Sequence, residues 1–336
     1  MVYFSENCDD WGKIASLIKR AETIYISTHV NPDGDAVGSV MALAGYLVRT
    51  GKPVRIINQS ETPESYRFLD PDGIIESYPD SPPQGKKPGK NDLVFFLDFG
   101  NLERVGSCVE FLTKNDAPLV VIDHHPPESI EADVIVINTH AASTGSLLYD
   151  LMCHIDSSIM NKEIATALLT AVVTDTGYFR YSNTTATTHL ITSSLYNYGV
   201  TASEIRKHLE NGYQLCRQLL LGMALSTVRI SPCGRIAYAH ITESMFKKAG
   251  AKREHTDGII DHIRVIRNIK IAALFIQEGK DRFKVSFRSG DGTSVNTIAR
   301  LLKGGGHPKA AGASLTGSLE YVIKKVLEAA EELLNS

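Results

Sequence analysis

Residues 23–51 read TIYISTHVNPDGDAVGSVMALAGYLVRTG. The opening run, Thr23 to Ser27, is short, apolar and β-branched, which predicts a buried strand. From Val37 onward, Val37, Val40, Met41, Ala44, Leu47 and Val48 recur at helical spacing, and Gly51 stands where a C-terminal cap is expected. Between strand and helix lies His29-Val30-Asn31-Pro32-Asp33-Gly34-Asp35, one imidazole and two carboxylates in a single loop. Pro32 and Gly34 predict a tight turn, which lets Asp33 and Asp35 both aim inward. Open α/β sheets are built from such strand-loop-helix units and hold their ligands at the carboxyl ends of the strands.

Working outward, Val54 to Ile57, Leu93 to Leu97, Leu119 to Ile122 and Val134 to Ile137 are further compact apolar runs, with helical patterns over 145–155 and 161–174 and Asn161 as N-cap. The pattern predicts a mostly parallel sheet flanked by helices, interrupted by the surface loop SPPQGKKPGK at 81–90. Two more strands end in chemistry: Leu97 runs into Asp98, and Ile122 runs into Asp123-His124-His125. Thr174-Asp175-Thr176-Gly177 closes a helix with another carboxylate. Beyond a long helical stretch from Ser203, strands are expected at 235–241, 269–277 and 282–288, a hairpin turn at 231–234 and a closing helix at 318–334. The expected architecture is an α/β chain: a parallel-sheet domain (1–200), a helical linker (201–224), and a smaller α/β domain (225–336) across a cleft.

Carboxylates and imidazoles without thiolates select hard-to-borderline divalent ions, Mn²⁺ or else Co²⁺ or Mg²⁺, over structural zinc. The donors are too many for one ion. Two ions roughly 3.5–4 Å apart would stabilise the attacking and leaving oxygens of an in-line displacement at phosphorus, so phosphoester hydrolysis is the chemistry implied. Each residue also has a plainer reading. A lone Asp at a strand end is more often a helix N-cap, and Asp35 and Asp175 both fit that role. Isolated histidines such as His140, His154 and His262 are ordinary surface or core residues. Three strand ends carrying the same chemistry outweigh the plainer reading for the set.

Composition narrows the class. The 336 residues include 35 Lys+Arg and 38 Asp+Glu, for a net charge of −3, so no global basic character points to long nucleic acid or an anionic membrane. Charge is segregated, however: residues 1–260 carry a net −7 and residues 261–310 a net +6. Five widely spaced cysteines without C-x-x-C disfavour a disulfide framework. With no apolar run of membrane-spanning length and an acidic N-terminal segment, a cytoplasmic location is expected. Neither a P-loop nor a G-x-G-x-x-G fingerprint is present.

The motifs HVNPDGDAVGS (29–39), LDFGNLERVG (97–106), VIDHHP (121–126), TDTGYFRYSNTT (174–185) and GGGHPKAAGA (304–313) together make the sequence resemble the DHH phosphoesterases, over essentially the whole chain. Among members it is similar to short bacterial oligoribonucleases that also dephosphorylate 3′-phosphoadenosine 5′-phosphate. The resemblance implies two divalent metal ions. His29, Asp33 and Asp98 would hold one, Asp35, Asp98, His124 and Asp175 the other, with Asp98 bridging. It further implies that Asp123 orients a neighbouring histidine and that His125 faces the scissile phosphate as hydrogen-bond donor or proton source. The last motif resembles the DHH-associated domain, which holds substrate in the family.

In that second region, Gly304-Gly305-Gly306 would let backbone amides approach a phosphate, with His307 and Lys309 adding donors. Ser286 and Arg288 alternate on a predicted strand, share a face, and would grip a phosphate together. The expected substrate-binding set is therefore Ser286, Arg288, Gly305, Gly306, His307 and Lys309. The function expected is a Mn²⁺-dependent phosphodiesterase releasing nucleoside monophosphates from very short oligoribonucleotides. Alternatives are a cyclic- or linear-dinucleotide phosphodiesterase and, from another class, a catalytically silent nucleotide-binding regulator. Expected partners are short oligoribonucleotides or nucleotides, with no membrane and a homodimer left open.

Overall fold

A computed structural model describes residues 4–81, 83–126, 130–211, 215–289, 293–306 and 308–335, and the chain divides into two compact units, Met1–Gly212 and Tyr213–Ser336. Among its described residues, unit 1 is built on six strands: β1 (Ile24–Ser27), β2 (Val54–Asn58), β3 (Ile75–Ser77), β4 (Leu93–Leu97), β5 (Leu119–Asp123) and β6 (Val134–Ile137). All pair in parallel, in the order β3-β2-β1-β4-β5-β6. The order reverses between β1 and β4. There the connections on either side leave in opposite directions and open a crevice at the carboxyl ends of the strands, which is where such sheets bind ligands.

Among the described residues seven helices accompany the sheet: α1 (Cys8–Arg20), α2 (Gly34–Arg49), α3 (Cys108–Thr113), α4 (Thr144–Asp156), α5 (Lys162–Asp175), α6 (Ala186–Tyr196) and α7 (Ala202–Asn211). Strand alternation sends Ile24, Ile26, Phe95, Leu97, Val120 and Ile122 into one large core with α1, α2, α4 and α5. Tyr25, Val94, Phe96 and Val121 face the other way, onto Cys108, Phe111 and Leu112 of α3. Both faces are covered, which is why these strands read as continuous apolar runs.

Helices α2, α4 and α5 meet nearly backbone to backbone. A Cβ on Gly38 would lie 2.5 Å from the Ala167 carbonyl oxygen, and one on Gly145 would lie 2.4 Å from the Ala171 Cβ. This close crossing gathers the first turns of α2 and α4 and the last turn of α5 at one end of the sheet. Gly38→Val is therefore expected to lower stability by about 1–3 kcal/mol through overpacking. The check is a urea denaturation series in which the midpoint falls; an unchanged midpoint would mean the crossing is looser than described.

Unit 2 holds a second six-stranded sheet in the order β11-β12-β10-β9-β8-β7. Its strands are β7 (Arg229–Ile230), β8 (Ile236–Ile241), β9 (Ile271–Gln277), β10 (Arg282–Ser289), β11 (Gly305–Gly306) and β12 (Ala310–Thr316); among the described residues β8 and β9 pair in parallel and the other pairs are antiparallel. Its helices are α8 (Leu215–Ser226), α9 (Glu243–Ala249), α10 (Ile259–Arg264), α11 (Val295–Leu301) and α12 (Leu319–Asn335). The helical stretch expected after Ser203 comprises α7 in unit 1 and α8 in unit 2. One sheet face packs on α11 and α12 through Phe283, Val285 and Phe287. On the opposite face the apolar core takes residues from β8 and β9 alone, together with α8, α9 and α10. There β10 and β12 present Lys284, Ser286, Arg288, Gly312 and Ser314. No helix among the described residues is long and apolar enough to cross a membrane.

Candidate metal centre

Where β1 ends, the chain turns through Asn31, at φ +53°, and enters α2. Asp33 is the N-cap: its Oδ1 accepts from the Asp35 and Ala36 amides at 3.0 and 3.1 Å, which leaves Oδ2 3.9 Å from His29 Nε2. The capping role that the sequence also allowed for Asp35 thus belongs to Asp33. Asp35 lies in the first turn, buried, and accepts from the Thr144 and Gly145 amides at 2.7 and 3.0 Å and from Ser39 Oγ at 3.1 Å. The first residues of α4 thereby hold the Asp35 carboxylate, an arrangement that the helix dipole favours.

Asp98 follows β4 with φ +48°, a left-handed conformation that costs a residue with a side chain roughly 1–3 kcal/mol. Its amide stays paired with the Ile122 carbonyl at 3.2 Å, and Thr144 Oγ1 donates to its Oδ1 at 3.2 Å. The two carboxylate oxygens face two groups of donors. Oδ2 lies 3.7 Å from His29 Nε2, and Oδ1 lies 3.7 Å from His124 Nε2. His124 Nε2 also stands 3.7 Å from Asp35 Oδ2 and 3.5 Å from Asp175 Oδ2. Asp175, the last residue of α5, is steadied by Asn183, whose Nδ2 donates to the Asp175 carbonyl at 3.1 Å. His29, Asp33 and Asp98 form one potential metal-holding group, and Asp35, His124 and Asp175 another.

These donors fit divalent cations. His29 Nδ1 donates to the Val30 carbonyl at 2.8 Å, which turns Nε2 toward the carboxylates, the orientation of a metal-ligating histidine. Separations of 3.5–3.9 Å are long for hydrogen bonds and suit donors converging on a shared ion. Charge argues the same way. Burial, then Asp35, Asp33, Asp123 and Asp175, raise Asp98 well above the usual carboxylate range. Burial and neighbouring aspartates lift Asp175 to about 7, with His124 opposing them. His124 is raised too: burial pushes it down, and Asp175, Asp35 and Asp123 outweigh that.

A pH dependence follows for metal-free protein. Groups raised on folding contribute most below their unfolded values, roughly 4 for Asp and 6.5 for His, and that contribution is lost as pH rises through the folded values, for Asp175 about 7. A bound divalent cation offsets the loss. The rise in Tm on adding Mn²⁺ should therefore be larger at pH 7.5 than at pH 5.5, measured by calorimetry. An equal or smaller rise at pH 7.5 would contradict the charge account.

Asp123 and His125 pair at the edge of the centre, where His125 Nδ1 also lies 3.4 Å from Asp98 Oδ1 and groups with Asp98 and His124. Asp123 Oδ2 accepts from the Phe99 and Gly100 amides at 3.1 and 2.8 Å, and Oδ1 lies 2.7 Å from His125 Nδ1. Burial works against the charged carboxylate, but His125 and the backbone amides hold Asp123 well below the ordinary range. A carboxylate only accepts, so in this contact Nδ1 carries the proton.

Comparison with known proteins places the chain in one family. The DHH family N-terminal domain model matches residues 23–172 and the DHHA1 domain model matches residues 234–336. A protein of Thermus thermophilus, the bifunctional oligoribonuclease and PAP phosphatase NrnA, is 36% identical over 324 residues, covering 96% of this chain and 93% of its own. The chain belongs to the DHH family. NrnA of Bacillus subtilis is 30% identical over 300 residues, covering 88% of this chain and 90% of its own. An exopolyphosphatase-related protein from Bacteroides fragilis matches with a TM-score of 0.89 at 24% identity, covering 96% of each chain, a likeness of fold. This DHH-family protein is accordingly a phosphoesterase, a hydrolase.

In the DHHA1 region, Ser286 and Arg288 share one face of β10 and are half-buried. The glycine tract, read from sequence as a phosphate loop, includes an edge strand. Gly305 and Gly306 pair with Gly312 and Ala311. A Cβ on Gly304 would lie 2.0 Å from the Gly312 carbonyl oxygen, and Gly306 has φ +134°. Close strand approach thus explains glycine at both positions. Lys309 lies just before β12, and His307 lies outside the described residues. Sequence reasoning missed Thr144, Gly145 and Asn183, which hold Asp35, Asp98 and Asp175. The motif around Ser143, N-cap of α4, and the SNTT segment were the available signals.

Proposed function

We propose that this phosphoesterase hydrolyses very short oligoribonucleotides to nucleoside monophosphates with two divalent ions, preferentially Mn²⁺, and that it also removes the 3′-phosphate of 3′-phosphoadenosine 5′-phosphate. The observation that carries the proposal is the placement of Asp98, whose two oxygens face two separate donor groups at the strand-order reversal. The NrnA relatives, described as oligoribonuclease and PAP phosphatase, support the substrate class. In this reading His29, Asp33 and Asp98 hold one ion, and Asp35, Asp98, His124 and Asp175 the other. Bound there, the ions supply Lewis-acid activation of water and of the phosphoryl group. Asp123 fixes the ring of His125, and His125 Nε2 faces the scissile ester as donor or proton source.

The holding of substrate falls to the DHHA1 residues Ser286, Arg288, Gly305, Gly306, His307 and Lys309. A short substrate has few phosphates, which suits a local net charge of +6 over residues 261–310 rather than a long basic track. Arg288→Ala should lower kcat/KM on a dinucleotide by about 10- to 1,000-fold, the loss expected for a charge-assisted contact of roughly 1.5–4 kcal/mol. On a chromogenic aryl phosphodiester, which has no remote phosphate, it should stay near wild type. Equal losses on both substrates would move Arg288 into the reacting centre.

The function itself is tested with chelator-treated protein restored with Mn²⁺. The panel is di- to pentaribonucleotides, a 20-mer, 3′-phosphoadenosine 5′-phosphate, cyclic dinucleotides and pyrophosphate. The dinucleotide and 3′-phosphoadenosine 5′-phosphate should be hydrolysed fastest. Preference for the 20-mer, for cyclic dinucleotides or for pyrophosphate, or tight binding without turnover, would overturn the proposal.

A further inference from the structure

The turn after β4 carries a cation that pairs with no acceptor among the described residues. Arg104 lies in the short 3-10 turn Leu102–Val105, whose N-cap Asn101 accepts from the Arg104 amide at 3.1 Å. The Arg104 carbonyl accepts from the amide of Val30, the residue after His29, so its backbone is tied to the donor loop of β1. Its side chain runs back over Gly100: a Cβ built on Gly100 would lie 3.0 Å from Arg104 Nη1 and 4.0 Å from Cζ. The Gly100 amide in turn donates to Asp123, the partner of His125. The guanidinium thus lies over the Asp98–Gly100 turn, and its charge is also felt at Asp33.

The residue is half-buried, yet no acceptor among the described residues engages its guanidinium. Asp33 does not pair with it at salt-bridge distance; Asp33 Oδ1 is taken by the α2 amides and Oδ2 faces His29. Five N–H donors in a rigid fork match two oxygens of a phosphate.

We propose that Arg104 binds the non-bridging oxygens of the scissile phosphodiester beside the metal centre. The assignment rests on the function proposed above and adds a contact to the reacting phosphate that differs from the remote one at Arg288. It makes Arg104 a catalytic residue by contact with substrate, and it predicts dependence on a bidentate fork and not on charge alone.

The test compares Arg104→Met and Arg104→Lys with wild type on a dinucleotide and on the aryl phosphodiester, alongside metal content and Tm. Arg104→Met should lose about 100- to 1,000-fold in kcat/KM on both substrates, the range for removing one transition-state donor. Arg104→Lys should recover part of the loss, and both variants should keep wild-type metal content and Tm. Near-wild-type turnover of the aryl ester by Arg104→Met would overturn the assignment. So would loss of metal, because Arg104 would then be a counter-ion to Asp33. If wild type hydrolyses no short RNA, the functional reading fails by itself, and binding of inorganic phosphate to the Mn²⁺-loaded protein decides for Arg104. At least about tenfold weaker binding by Arg104→Met supports the contact; equal binding ends it.

Discussion

Asp98→Asn should abolish turnover on every substrate, by roughly 10⁴-fold or more, equivalent to about 5.5 kcal/mol of barrier. Each Asp98 oxygen faces a different donor group, so one substitution weakens both sites together. Asparagine is the informative replacement because it tolerates the left-handed backbone at φ +48°, whereas alanine adds a strain of about 1–2 kcal/mol unrelated to the metals. It also keeps an acceptor for Thr144 Oγ1. The measurement is kcat/KM in saturating Mn²⁺ on the dinucleotide and the aryl ester, with Tm as the control for folding. A folded variant within tenfold of wild type would contradict the shared-carboxylate account.

His125→Ala should cost about 10²- to 10⁴-fold in kcat on both substrates, the range for losing a positioned acid–base group. The fold should tolerate the change. Asp123 keeps the Phe99, Gly100 and residue-125 amides as donors, so its buried charge is not stranded. Metal content should also survive, because His125 Nδ1 lies closer to Asp123, at 2.7 Å, than to Asp98 Oδ1, at 3.4 Å. Loss of metal in His125→Ala would instead assign it to the donor group that it forms with Asp98 and His124. Single-turnover kinetics with metal analysis on the same sample separates the two outcomes.

Much of this was legible in the sequence because buried parallel strands are compact apolar runs and because their carboxyl ends carry the polar residues. Leu93–Leu97 and Val134–Ile137 are strands over the spans that their composition indicates. Strand β3, Ile75–Ser77, was not legible: it has one buried residue, and pairing with β2 makes it a strand. Similarly, Asp33 and Asp35 look alike in sequence. Asp33 caps α2 through the nearby Asp35 and Ala36 amides, whereas Asp35 is held by amides more than a hundred residues away. The glycines at 304 and 306 read in sequence as amides free to approach a phosphate, and the approach of β12, which only the fold reveals, by itself also requires them. Period-two alternation did place Ser286 and Arg288 on one face, since a strand admits no other arrangement.

The central claim, that Asp98 serves two metal sites at once, is tested most directly by counting ions. Chelator-treated wild type and Asp98→Asn are titrated with Mn²⁺ by calorimetry, with elemental analysis of the gel-filtered products. The account expects two ions per chain in wild type, with both affinities weakened in Asp98→Asn. One ion per chain in wild type, or a variant that loses one site and keeps the other at full affinity, would contradict it.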